Sequence, residues 1–206
     1  LPRAPELTYS ISAIYDFDIG NYGYLSSRIS YAYRDETSYT DNNLGFILES
    51  MTWRASRHWG ERLGFSVEEL DHFNRAGIEL LQEVRNEYEG QLPHIVISGC
   101  MGSRGDGYNP EKIITAEEAE AYHRTQIATF RDTQADMVTA FTIPCSQEAI
   151  GIVLAAKAEA MPVAISFTVE IDGRLPSGET LKEAVQAVDG ATKFAPAYYM
   201  INCAHP

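Results

Sequence analysis

The feature that most constrains this chain is a repeated rhythm from Phe46 onward, in which a short apolar run, a loop and an amphipathic stretch follow one another. Apolar runs occur at Leu44 to Leu48, His94 to Ser98, Met137 to Ile143, Val163 to Val169 and Tyr198 to Ile201, a few tens of residues apart. Runs of this length, bounded by turn residues and separated by helical periodicity, read as the strands of successive βα units. Between them the helices announce their starts. Ser66 with Glu69, and Thr115 with Glu118, have the spacing of capping boxes; Ser146 opens a helix over Gln147 to Ala160, and Glu179 to Val188 forms the last. Alternation of this kind gives a parallel sheet covered by helices. A closed (β/α)8 barrel needs eight strands and about 250 residues. Five strands in 206 residues predict an open sheet or an incomplete barrel.

Residues 1 to 45 have a different period. Tyr9, Ile11, Ala13, Tyr15, Phe17 and Ile19 fall on one face of an extended chain, with Thr8, Ser10, Ser12, Asp16 and Asp18 on the other. Gly20-Asn21-Tyr22-Gly23 reads as a tight turn, after which the alternation resumes through Leu25, Ser27, Ile29, Tyr31 and Tyr33. A hairpin with one apolar face either packs on a soluble domain or belongs to a membrane β-barrel.

Charge narrows the function. With 29 acidic against 16 basic residues the formal charge is -13, which argues against a phosphate-binding nucleic-acid surface. Three scattered cysteines suit a reducing compartment better than a disulfide framework, so a cytoplasmic enzyme is the expectation. No apolar stretch is long enough for a membrane-spanning helix, and no signal peptide is evident at the start.

In a parallel α/β protein the carboxyl ends of the strands carry the chemistry. Four such ends here are polar: Glu49, Ser50 and Thr52 beside Trp53 and Arg54; Ser98, Gly99, Cys100 and Gly102; Thr142 and Cys145; Ser166, Thr168 and Glu170. The glycine-rich run Gly99 to Gly107 matches neither a P-loop nor a dinucleotide fingerprint, and reads as a substrate-lining loop. The last strand delivers Asn202, Cys203 and His205. Cys203 is open to three roles: a zinc thiolate, a nucleophile or an inert buried thiol. Cys100, Cys145 and His205 are the other soft or borderline ligands, without CxxC or HxxxH spacing.

Residues 46 to 206 resemble the homocysteine S-methyltransferase family. The resemblance is carried by Leu48-Glu-Ser-Met-Thr-Trp-Arg-Ala-Ser56, Ser98-Gly-Cys-Met-Gly-Ser-Arg-Gly-Asp106, Gln147-Glu-Ala149, Pro162-Val-Ala-Ile-Ser-Phe-Thr-Val-Glu170, Leu175-Pro-Ser-Gly178 and Ile201-Asn-Cys203. It implies a partial TIM (β/α)8 barrel whose five strands match the second to the sixth, preceded by the N-terminal β-hairpin. It also implies transfer of a methyl group from a small donor to the zinc-activated thiolate of homocysteine, giving methionine. By the same resemblance Cys203 is a zinc ligand, Glu170 holds the amino group of homocysteine, and Glu49, Ser50 and Thr52 line the amino-acid pocket.

The family's Asp-Gly-Gly strand and its Gly-Gly-Cys-Cys strand, which carries two further zinc thiolates, have no counterpart in this sequence. A fused or truncated chain with an incomplete zinc site is therefore expected. Residues 1 to 45 resemble the closing strands of TonB-dependent outer-membrane receptors, the only route by which a membrane enters. Two alternatives follow: a non-enzymatic fused fragment carrying an outer-membrane hairpin, or an unrelated α/β enzyme using Cys100 or Cys203 as nucleophile.

Overall fold

A computed structural model describes residues 45–92, 94–110 and 113–202 in full, and the backbone of residues 8–18 and 24–34. Seven strands and five helices occur among them. β1 (Thr8–Asp18) and β2 (Tyr24–Arg34) pair antiparallel along their whole length, with Tyr9 opposite Tyr33 and Phe17 opposite Leu25. The hairpin expected from the alternation is therefore present, while its turn at Gly20 to Gly23 lies outside the described residues.

The rest follows the βα rhythm. β3 (Gly45–Glu49), β4 (His94–Gly102), β5 (Met137–Ile143), β6 (Val163–Thr168) and β7 (Tyr198–Asn202) lie side by side in chain order, all parallel. The sheet curls into half of a barrel, as the partial-barrel reading requires. Its helices are α1 (Arg57–Leu63), α2 (Val67–Glu87), α3 (Ala116–Arg131), α4 (Ser146–Ala158) and α5 (Leu181–Thr192). None among the described residues is long and apolar enough to cross a membrane.

Local chemistry sets the helix starts. Ser66 and Thr115 accept from the backbone of Glu69 and Glu118, whose carboxylates return the bond, and Thr180 with Glu183 repeats the device at α5. α4 begins one residue earlier than Ser146 alone suggests. Cys145 takes the cap position, and the amide of Ser146 donates instead to Glu179 Oε2 at 3.0 Å. α1 is an addition to the sequence reading; seven residues with no side-chain cap, stopped by Gly64 at φ 79°, leave too short a periodic signal.

One face of the sheet makes the core. Leu48, Ile97, Met101, Val138, Ala140, Val163, Ile165 and Phe167 pack against Ile78 and Leu81 of α2, Phe130 of α3, Ile150 and Val153 of α4 and Val188 of α5. Burying side chains of this size contributes about 1.5–3 kcal/mol each. α4 is buried almost all round, including Glu148, Ala149, Ile152 and Ala155. It reaches α3 so closely that a Cβ on Gly151 would lie 2.4 Å from the Ala116 carbonyl oxygen. Because side chains alternate along a strand, everything between these core residues turns to the opposite, concave face.

Candidate active site

The concave face is polar. Glu49, Ser98, Cys100, Thr139, Ser166, Tyr198 and Asn202 occupy the positions that alternate with the core set. In closed barrels those positions are mostly branched apolar residues. Ser98 and Thr139 are fully buried and share a hydrogen bond of 2.7 Å across β4 and β5. Glu49 stands beside them at the end of β3. Burial pushes its carboxyl up to about 7, against the pull of the Ser98 and Thr139 hydroxyls, which favour the ionised form. Its Oε2 is buried without a hydrogen-bond partner.

Ser50 and Thr52 continue from β3 but point their hydroxyls into β4. Ser50 Oγ and Thr52 Oγ1 lie 2.6 Å apart; Ser50 Oγ accepts from the Cys100 amide at 2.8 Å, and Thr52 Oγ1 donates to the Cys100 carbonyl at 2.7 Å. Both are buried. Together they fix the loop after β3 to the end of β4. Cys100 is buried too, and burial together with the neighbouring Glu49 charge holds its thiol well above the usual range. A thiol kept neutral in this way is a poor nucleophile, which argues against the nucleophilic-Cys100 alternative. Cys145 is pushed up to about 11, mainly by burial, and its sulfur caps the Glu148 amide at 3.5 Å.

A second convergence lies at the ends of β5, β6 and β7. The β5 to β6 register shifts between Ala140 and Ile143, and Thr142 takes a left-handed φ of 56°. Such bulges re-aim side chains and are frequent next to active sites. Asn202 Oδ1 accepts from the Thr142 amide at 3.1 Å and from Ser166 Oγ at 2.8 Å, and Trp53 Nε1 donates to Thr142 Oγ1 at 3.2 Å. Four strand ends are thus tied to one another. Trp53 can lie there because Gly102 has no Cβ, which would fall 2.6 Å from the indole nitrogen. Arg54 in turn stacks between Trp53 and Trp59, 4.6 and 4.2 Å from the two ring centroids.

Behind this layer Glu148 Oε1 accepts from the Arg104 amide at 2.6 Å and faces His123 Nε2 at 2.9 Å, so the start of α4 holds the glycine-rich loop. The loop after β6 is held similarly by Glu179, which accepts from Ser146 and from Ser177 Oγ at 2.7 Å. Glu170 lies in that loop, exposed, with its carbonyl accepting from Gly173 at 2.9 Å.

The structure therefore brings Glu49, Ser50 and Thr52 together with Cys100 around the ends of β3 and β4, and sets Glu170 apart on a surface turn. Cys203 and His205 lie outside the described residues. Among the described residues no three His, Cys, Asp or Glu side chains converge as a metal cage. Sequence reasoning missed the Ser98–Thr139 pair as a unit, Tyr198 on the concave face, and the Asn202 clamp. Their only sequence signal was a hydroxyl or amide at alternate positions of otherwise apolar runs.

Comparison with known proteins agrees with this architecture. The profile described as "Homocysteine S-methyltransferase" matches residues 37–206. Homocysteine S-methyltransferase 2 of Arabidopsis thaliana is 25% identical over 183 residues, spanning 78% of this chain and 54% of the relative. Selenocysteine Se-methyltransferase of Brassica oleracea var. italica is 24% identical over 181 residues, spanning 78% and 52%. The chain thus spans about half the length of these relatives. Among solved structures, the oxidized form of the homocysteine methyltransferase MmuM from Escherichia coli superposes with a TM-score of 0.67 at 20% identity, covering 76% of this chain and 56% of that one. Its metallated form gives the same TM-score and identity. These structures share the fold, and the profile match, extending over more than half of the sequence, establishes that the chain belongs to the homocysteine S-methyltransferase family.

Proposed function

We propose that the concave face forms part of a site that transfers a methyl group from a small donor to the sulfur of homocysteine, giving methionine. The observation that supports this reading best is the polar layer itself. In a chain of this family, buried hydroxyls and a carboxyl with one buried oxygen replace the apolar filling of the barrel at the strand ends. The electron pair of the acceptor thiolate forms the new S–C bond while the donor's bond to the methyl carbon breaks, its pair leaving on the donor. With an onium donor the two charges cancel in the transition state, so a site walled off from water favours it. Glu170 is the carboxylate for the substrate ammonium in this reading, and Glu49, Ser50 and Thr52 line the amino-acid pocket. Zinc, held by Cys203 among other ligands, would supply the positive charge that keeps the acceptor sulfur a thiolate at neutral pH. The described residues make no cage for it by themselves.

The test is direct. The full chain is incubated with L-homocysteine and a deuteromethyl sulfonium donor, and labelled methionine is measured beside binding of L-homocysteine and zinc content. Transfer that is lost in Glu170→Gln supports the reading, and absence of L-homocysteine binding overturns it.

For residues 1 to 45, the resemblance to TonB-dependent receptor strands remains a second reading, favoured by the full antiparallel pairing of two eleven-residue strands. Partition of the full chain into detergent micelles supports it. A chain that stays in the aqueous phase rejects it and leaves the cytoplasmic placement.

A further inference from the structure

Glu49 is anomalous within the polar layer because it is the one member whose hydrogen-bonding capacity is left open. Ser98 and Thr139 bond each other and support one side of the Glu49 carboxyl, and Ser50 and Thr52 are taken up by the Cys100 backbone. Ser166 is engaged by Asn202. Glu49 Oε2 is closed off from water and has no partner. No Lys or Arg occurs among the residues of β3 to β7, and His94 sits at the opposite end of β4, so these strands hold no cation for it. A buried carboxyl oxygen left bare costs about 1–3 kcal/mol or more in lost solvation. It is tolerated where the group is neutral or where a ligand supplies the donor.

We propose that Glu49 Oε2 receives the ammonium group of the amino-acid substrate, and that Glu49 gives up its proton to solvent as that ammonium docks. The inference rests on the amino-acid reading above and deepens it: an ammonium carries three N–H donors, so Glu49 takes one inside the barrel face and leaves the others for the Glu170 carboxylate of that reading.

With its carboxyl at about 7, Glu49 is half protonated in the free chain at pH 7. An ammonium beside Oε2 favours the ionised form, so docking drives the proton out. The titratable groups facing it are Cys100 on β4 and Tyr198 on β7. Burial and the Glu49 charge raise both, so both are neutral at pH 7 and neither competes for the exchange. On this side β5 and β6 bring uncharged residues, Met137, Thr139, Ala164, Ser166 and Thr168 among them, and the helices lie behind the sheet.

The experiment is calorimetry on the full chain at pH 7, in two buffers of different ionisation enthalpy. L-Homocysteine is compared with 4-mercaptobutanoate, which keeps the thiol and carboxylate and lacks the amine. The expected result is release of about half a proton with L-homocysteine beyond that seen with the amine-free analogue. E49Q should bind L-homocysteine about 10- to 100-fold more weakly with that excess abolished, while binding the analogue as the parent does. E49D, which keeps the charge but withdraws the oxygen, should retain the proton release at reduced affinity. Equal affinity and equal proton count in parent and E49Q overturn the inference and leave the substrate reading standing. Failure of the parent to bind L-homocysteine overturns both. Far-UV circular dichroism of each variant confirms that the fold is kept.

Discussion

Replacing Glu49 by Gln removes the one group whose protonation sets folding against ligand readiness, and the cost can be worked from its surroundings. The carboxyl loses its proton at 4.5 in the unfolded chain and at about 7 when folded. The folded state therefore holds the proton more tightly. Below 4.5 both states are protonated and Glu49 carries no penalty; as pH rises from 4.5 to 7 the unfolded chain ionises first and stability falls; above 7 the penalty is constant. At 1.36 kcal/mol for each tenfold change in proton affinity, the penalty above pH 7 is about 3 kcal/mol, of which about 2.5 develops between pH 5 and pH 8. Glutamine fits the same volume without that penalty. E49Q should therefore gain on the parent by about 2 kcal/mol between pH 5 and pH 8. In urea denaturation with an m-value of about 2 kcal/mol/M, that is a relative midpoint shift of about 1 M. Every other titrating group is common to both proteins and cancels. Parallel stability curves over this range would show that the carboxyl is solvated, and would refute the argument.

Three further outcomes probe other parts of the structure. Gly151→Val drives a side chain into the Ala116 carbonyl oxygen and the Ala119 methyl, each 2.4 Å from where the new Cβ would lie, and should cost about 1–3 kcal/mol by thermal melting. Gly190→Ala in α5, where an added Cβ meets nothing within 4 Å, should instead gain about 0.5–1 kcal/mol by the same measurement. Cys100 and Cys145, with raised thiols, should resist iodoacetamide at pH 7 in the folded chain and react once it is unfolded in urea, read peptide by peptide by mass spectrometry. Rapid labelling of Cys100 in the folded chain would restore the nucleophile alternative.

What was legible in the sequence was what is local. Ser66 and Glu69 are three residues apart, so their reciprocal bonds are written in the spacing, as are those of Thr115 and Glu118. The five strands were equally plain, because each must present an apolar face to the helices. The start of α4 was misplaced by one residue because its decisive partner, Glu179, lies 33 residues further along the chain. Glu49, Ser50 and Thr52 could be placed at a strand end, yet which would meet the concave face and which would bind the β4 backbone depends on the β3 to β4 register. Only the pairing of Glu49 with Ser98 decides it. Asn202 read as a polar residue before Cys203, and its grip on Thr142 and Ser166 needs two neighbouring strands to exist first.

The two faces of the sheet divide the work of the chain. The helix-facing residues supply the apolar burial, including Ile165 and Phe167 at zero exposure. The concave positions contribute hydroxyl pairs, whose net worth is only about 0.5–1.5 kcal/mol each. A residue such as Glu49, which lowers stability when ionised, is tolerable because the apolar face carries the fold without it. The same separation explains why the strained Thr142 can persist at the end of β5. Its left-handed backbone costs about 1–3 kcal/mol, offset by bonds from Trp53 and to Asn202 that form only when β3, β5 and β7 are already in place. Substitutions on the convex face should thus act through stability, and those on the concave face through ligand affinity and its pH dependence.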